Sequence, residues 1–228
     1  MSDGAGSCRV AGDEHDSDTK LQEVAMSRMR SGLVAASAGL SLVLATPAQA
    51  ANLTGTAGDD QIVGTSRADT ISGLAGDDVI RSGRGADIVR GGAGDDLIDL
   101  GRNPLLEGPR GDQASGGLGD DVIFGGPGFD VLSGNAGHDT LVGGTGANTL
   151  IDGPGNDVLL GGSVGDVAYV GPGRDRVYLG AGGDGVYVAV DGRTDVIFCG
   201  PGFDRVWRGA RLDPKDRFHD CEAFSDHP

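Results

Sequence analysis

Between Gly55 and Trp207 a single apolar residue returns every ninth position, with two interruptions, and an Asp stands two places before it. Neither the 3.6-residue period of an amphipathic helix nor the plain alternation of an ordinary strand has that spacing, so the repeat is the first structural signal. With the Asp placed at position 6 of a nine-residue frame, the copies run GTAGDDQIV from Gly55, GTSRADTIS from Gly64, GLAGDDVIR from Gly73, SGRGADIVR from Ser82 and GGAGDDLID from Gly91. Seven residues, Leu100 to Leu106, break the frame. It resumes with EGPRGDQAS at Glu107, continues for nine copies to Tyr187, and after Val188 and Ala189 ends with VDGRTDVIF and CGPGFDRVW. Position 6 is Asp in fifteen of sixteen frames, Asn148 being the exception, and position 8 is Ile, Leu or Val in fourteen, with Ala114 and Ala168 in the others. A merely Gly-rich disordered tract would not keep two positions in phase for so long.

Positions 1, 2 and 4 are mostly Gly, which admits positive φ and close backbone approach, so positions 1 to 6 read as a turn. Positions 7 to 9 read as a very short strand with position 8 inward. One apolar residue in nine buries too little for a frame to stand alone; only stacked frames share a core. The composition agrees: 44 of 228 residues are Gly and 4% are aromatic, too few large side chains for an ordinary globular core of this length.

The formal charge of −16 disfavours nucleic acid and anionic membrane surfaces, and favours cations or basic partners. Residues 26–50 have a basic start (Arg28, Arg30), a short apolar run, Pro47 and then Ala48-Gln49-Ala50. This is the layout of a signal peptide cleaved after Ala50, with an uncleaved anchor as the alternative. Residues 1–25 are expected to be a disordered or untranslated leader, because their acids sit where a signal peptide wants none. Cys199 and Cys221 remain after cleavage; in an exported chain they read as one disulfide, with two free thiols as the alternative.

Sixteen in-register frames resemble the RTX family of calcium-binding nonapeptide repeats, G-G-x-G-x-D-x-U-x, over nearly all of the chain after Ala50. The resemblance implies an all-β fold, a parallel β-roll with two nonapeptides per coil, over residues 51–207, followed by a C-terminal cap at 208–228. Calcium would lie between turns that stack every second repeat. Carried onto this sequence, Asp60 stacks on Asp78, Asp69 on Asp87, Asp78 on Asp96, Asp121 on Asp139 and Asp139 on Asp157, while Asp130 meets Asn148. The expected ligands are Asp60, Asp69, Asp78, Asp87, Asp96, Asp121, Asp130, Asp139 and Asp157, joined by carbonyls of the Gly-rich turns, an oxygen set that suits calcium better than magnesium. Stacked rows of Asp repel without ions, so folding is expected to follow ion binding.

Some frames depart from the pattern. Arg67, Arg110, Val164 and Arg193 replace Gly at position 4, and Arg174 and Arg176 are placed to neutralise Asp175. Beyond Trp207 the frame decays: Asp213 is still in phase, yet Lys215 falls on position 8 and Pro214 opposes a strand. The expectation is a plug held by Cys221 on Cys199.

Arg110-Gly111-Asp112 follows from the frame, the Asn52 sequon depends on the host, and His138 reads as a solvent-facing turn residue. No catalytic constellation is visible. The reading is therefore a secreted, non-enzymatic calcium protein without a membrane span after cleavage, structural or adhesive toward an extracellular glycan or protein. A calcium store and a carbohydrate-active β-helix enzyme, epimerase- or lyase-like, are the alternatives. Tyr169, Tyr178 and Tyr187, at position 9 of consecutive frames, suggest a ladder along the roll.

Overall fold

The computed structural model describes residues 41–44, 49–101, 111–208 and 213–225. The chain divides into two compact units, Met1–Ala35 and Ala36–Pro228; the first lies outside the described residues, and the second carries the repeat.

Frames feed two parallel sheets in strict alternation, because each Gly-rich turn reverses the chain and the next frame's three-residue strand lands on the opposite side. The first sheet orders Ser41–Leu44, Asp60–Val63, Val79–Arg81, Leu97–Asp99, Val122–Pro127, Thr140–Thr145, Val158–Gly162, Arg176–Gly180, Val196–Phe198 and Arg217–His219. The second orders Asn52–Thr54, Thr70–Ala75, Ile88–Ala93, Gln113–Leu118, Val131–Ala136, Thr149–Ile151, Val167–Val170, Gly185–Val188, Arg205–Arg208 and Ala223–Ser225. Pairing joins each frame to the next but one, as Ile62↔Ile80 and Ile71↔Val89 show. The result is the all-β parallel roll that the family resemblance implies.

Position 8 fills the interior. Ile62, Ile80, Ile98, Ile123, Leu141 and Leu159 from one sheet face Ile71, Val89, Leu132 and Leu150 from the other, and all are buried. In three later frames that lose the Gly of position 1 its replacement points inward: Val170, Leu179 and Cys199 join the core.

The seven-residue interruption leaves the ladder intact. Leu97↔Val122 and Ile88↔Gln113 pair across it. Leu100 is buried, and Gly101 takes φ +81°, so Leu-Gly occupies positions 1 and 2 of a turn before the chain passes through residues 102–110, which lie outside the described residues.

One reading is refined and one corrected. The disulfide-linked end beyond Trp207 is built as two further rungs, Arg217–His219 and Ala223–Ser225, one on each sheet. Pro214 is absorbed in a turn closed by the Asp216 amide donating to the Asp213 carbonyl at 3.2 Å, which slips the frame by three residues, so that Asp216 takes position 6 and Phe218 position 8. The tyrosines do not form one ladder: Tyr169 stacks on Tyr187 and Tyr187 on Trp207 at 4.7 and 4.5 Å on the second sheet. Tyr178 stacks on Phe198 and Phe198 on His219 at 5.0 and 4.5 Å on the first. Consecutive frames face opposite ways, so a ladder needs every second one.

Cys199 and Cys221 form a disulfide, with Cα atoms 5.2 Å apart. Within the apolar run of residues 26–50, Ser41–Leu44 pair with Asp60–Val63 as the first rung. The rest of that run, except Gln49 and Ala50, and all of residues 1–25 lie outside the described residues. No helix of the described residues is long and apolar enough to cross a membrane.

Candidate metal centres along the two edges

Each turn carries its position-6 Asp to an edge of the roll, where it is buried against the turn of the next coil. The amide of each Asp donates to Oδ1 of the next Asp in its row: Asp60 to Asp78 at 2.8 Å, Asp78 to Asp96 at 2.9 Å, Asp96 to Asp121 at 2.9 Å, Asp121 to Asp139 at 2.8 Å and Asp139 to Asp157 at 2.7 Å. The second row runs Asp69 to Asp87, Asp87 to Asp112, Asp112 to Asp130 and then Asp130 to Asn148, where the amide oxygen accepts at 3.1 Å. All five stackings that the resemblance implies are present, and two further ones, Asp87 to Asp112 and Asp96 to Asp121, bridge the interruption. At the far end Asp195 donates to Asp216 and Asp204 to Glu222, so these two acids take over position 6 where sequence reasoning followed Asp213 instead.

One carboxylate oxygen is thus used and the other is left over. Oδ2 of Asp78, Asp96, Asp121, Asp130, Asp139 and Asp157 is buried without a hydrogen-bond partner. An unpaired buried carboxylate oxygen is costly, and the same oxygen recurs coil after coil where a bound cation would satisfy it. The cradle around it is open because position 1 lacks a side chain. A Cβ on Gly73 would strike Asp78 Oδ2 and come within 2.6 Å of the Gly91 carbonyl oxygen; one on Gly91 would strike Asp96 Oδ2 and lie 2.8 Å from the Gly116 carbonyl oxygen. Carboxylate and carbonyl oxygens from adjacent coils converge there, a hard-oxygen set fit for calcium.

Asp69 differs. Its Oδ1 accepts from the Ala51 amide at 2.7 Å and the Thr65 hydroxyl at 3.0 Å, and its Oδ2 from the Thr65 amide at 2.6 Å. In Asp60 it is Oδ1 that is unpaired, while Oδ2 accepts from the Thr56 amide at 2.5 Å. At the start of the roll backbone amides at position 2, and at Asp69 also the Thr65 hydroxyl, therefore occupy carboxylate oxygens that are left over in later coils.

Burial is the largest influence on the carboxyls, and it pushes Asp78, Asp139 and Asp157 up to about 6, Asp96 to about 7 and Asp121 to about 8. The backbone bonds pull the other way, and neighbouring carboxylates add to the rise. Asp87 and Asp130 are raised by burial as well. In the first row the repulsion comes partly from an outer rank of exposed acids at position 5, Asp59, Asp77, Asp95 and Asp120, themselves linked amide to carboxylate at 2.8 to 3.0 Å. The second edge carries Ala68, Ala86, Gly111, Phe129 and Ala147 at that position. Asp175 is raised to about 7, first by burial and then by the charges of Asp195, Asp157 and Asp191; the exposed Arg174 and Arg176 do not outweigh this.

Two parallel sheets joined by Gly-Asp turns, with a buried carboxylate row along each edge, define a calcium-binding β-roll. The family model described as RTX calcium-binding nonapeptide repeat (4 copies) matches residues 54–89, 75–103, 115–150, 133–168 and 151–186, together more than half of the chain. The protein belongs to that repeat family. Among curated proteins none is significantly similar.

Proposed function

We propose that this is a secreted structural or adhesive protein whose roll folds as calcium fills its edges. The ligands are Asp60, Asp78, Asp87, Asp96, Asp121, Asp130, Asp139 and Asp157, with Asp69 contributing least because its oxygens already have donors. The supporting observation is the repeated buried Oδ2 without a partner. Each cation would neutralise two stacked carboxylates and tie two coils, so uptake is cooperative with folding. Signal-like residues 26–50 and millimolar extracellular calcium suit weak sites of this kind.

An adhesive role draws on the second edge, where Phe129 and Phe203 stand 46% and 65% exposed beside small position-5 residues. The aromatic stacks do not serve a sugar well, since both faces of Tyr187 are covered by its neighbours. The test is far-UV circular dichroism of the ion-free chain titrated with calcium and, separately, magnesium. A β-rich spectrum should appear with calcium and not with equal magnesium; a spectrum indifferent to calcium would sink the reading. Turnover in a polysaccharide-cleavage assay would favour the enzyme alternative.

A further inference from the structure

Frame 11 places Asp152 where the repeat calls for Gly. It follows Ile151 at the end of a strand and turns inward, so that it is fully buried in a position filled elsewhere by Val170 or Leu179. Its Oδ1 accepts from the amides of Gly153 at 2.5 Å and Gly171 at 2.7 Å, which fixes the carboxylate across two coils. Its Oδ2 has no partner.

Asp157 and Asp175, stacked through the Asp157 amide on Asp175 Oδ1 at 2.8 Å, each leave Oδ2 unpaired at 1% exposure. One oxygen from each of the three residues lies within 4.8 Å of the others. A cation with bonds of about 2.3–2.6 Å spans oxygens that far apart, whereas magnesium at about 2.0–2.1 Å would have to draw them together. Ordinary edge cradles offer two carboxylates; this one offers three.

We propose that Asp152, Asp157 and Asp175 form a distinct three-carboxylate calcium site, the tightest in the chain and the first to fill. It rests on the proposed function in that Asp157 and Asp175 also belong to an edge row. The third carboxylate adds a full charge in a site from which water is excluded, and calcium affinity rises with ligand charge, so the expected advantage over the other sites is roughly tenfold or more. Because the ion ties two coils in the middle of the roll, it would hold a nucleus from which coils add in both directions.

The experiment is calcium titration of the ion-free full chain in competition with a chromogenic chelator, for the native protein, Asp152→Asn and Asp152→Gly. Asn keeps an oxygen for the Gly153 and Gly171 amides and removes only the charge. Gly restores the repeat's own residue and covers the case in which Asn misfolds. Native protein should show one site about tenfold tighter than the rest, insensitive to equimolar magnesium, and both variants should lose it while still becoming β-rich at higher calcium. A native curve without a tight site, or a tight site surviving in either variant, overturns the assignment. Failure of all three proteins to bind calcium would instead refute the proposed function.

Discussion

At position 2 most turns take a left-handed residue, usually Gly, as at Gly92 with φ +133°, and Leu74 sits there at φ +86° and Asn135 at φ +74°. Asn tolerates that region and Leu does not; the strain is about 1–2 kcal/mol, partly offset by the unfolded-state entropy a Gly would bring. Leu74 is also half-exposed, so little burial is forfeited on its removal. Leu74→Gly should therefore stabilise the calcium-loaded protein by about 0.5–1 kcal/mol, read as a higher melting temperature; a lower one would show that the side chain contributes packing of its own. Residue positions were legible wherever the frame held. Asp78, Asp96, Asp121 and Asp139 stand where counting by eighteen put them. Asp152 was overlooked because a position-1 acid looks like a harmless variation until the inward direction of that position is known. Asp216 and Glu222 were missed because a turn at Pro214 adds three residues that no periodicity announces.

Strands of three to six residues cannot hold themselves, and their lateral neighbours are all they have. The last rungs lie where the apolar position 8 passes to Phe218 and Phe224, whose rings meet edge to face at 5.5 Å, and where the Cys199–Cys221 disulfide ties the penultimate coil to the final turn. It closes a loop of 22 residues, for which the chain-entropy argument gives about 3 kcal/mol. Reduction should lower the melting temperature markedly while leaving calcium uptake by the Asp78–Asp157 row intact; identical melting with and without reductant would show that the final rungs hold without the bond. The pairing of the two cysteines could be read from the sequence. That they would lock two further rungs, and not a separate plug, could not, since Pro214 and Lys215 masked the resumption of the pattern.

For the whole molecule the raised carboxyls set a pH dependence. In the ion-free roll Asp78, Asp96, Asp121, Asp139 and Asp157 hold protons up to about pH 6–8, against 3.8 ordinarily. Between those limits the folded chain binds more protons than the unfolded one, so stability falls as pH rises: it is fully present below 3.8 and lost through about 6 to 8. The ion-free protein should thus be β-rich near about pH 4, lose that structure toward about pH 8, and regain it there on addition of calcium. Ion-free protein that becomes more structured as pH rises would contradict the desolvated rows. Protons and calcium stand in for each other, each removing the same buried charge.

Alternation of frames between two sheets has a consequence for how such a chain can change length. Eighteen residues removed or added leave every later strand on its own sheet and every Asp in its own row. Nine would transpose the remainder: Asp77 and Asp95 would come to stand on the edge that now carries Ala86 and Phe129, and Tyr187 and Trp207 would leave one face for the other. The interruption at Leu100 escapes this, since Leu97↔Val122 and Ile88↔Gln113 still pair across it. Heredity in this molecule therefore counts in pairs, and an odd repeat gained or lost would exchange its acidic rim for its neutral one.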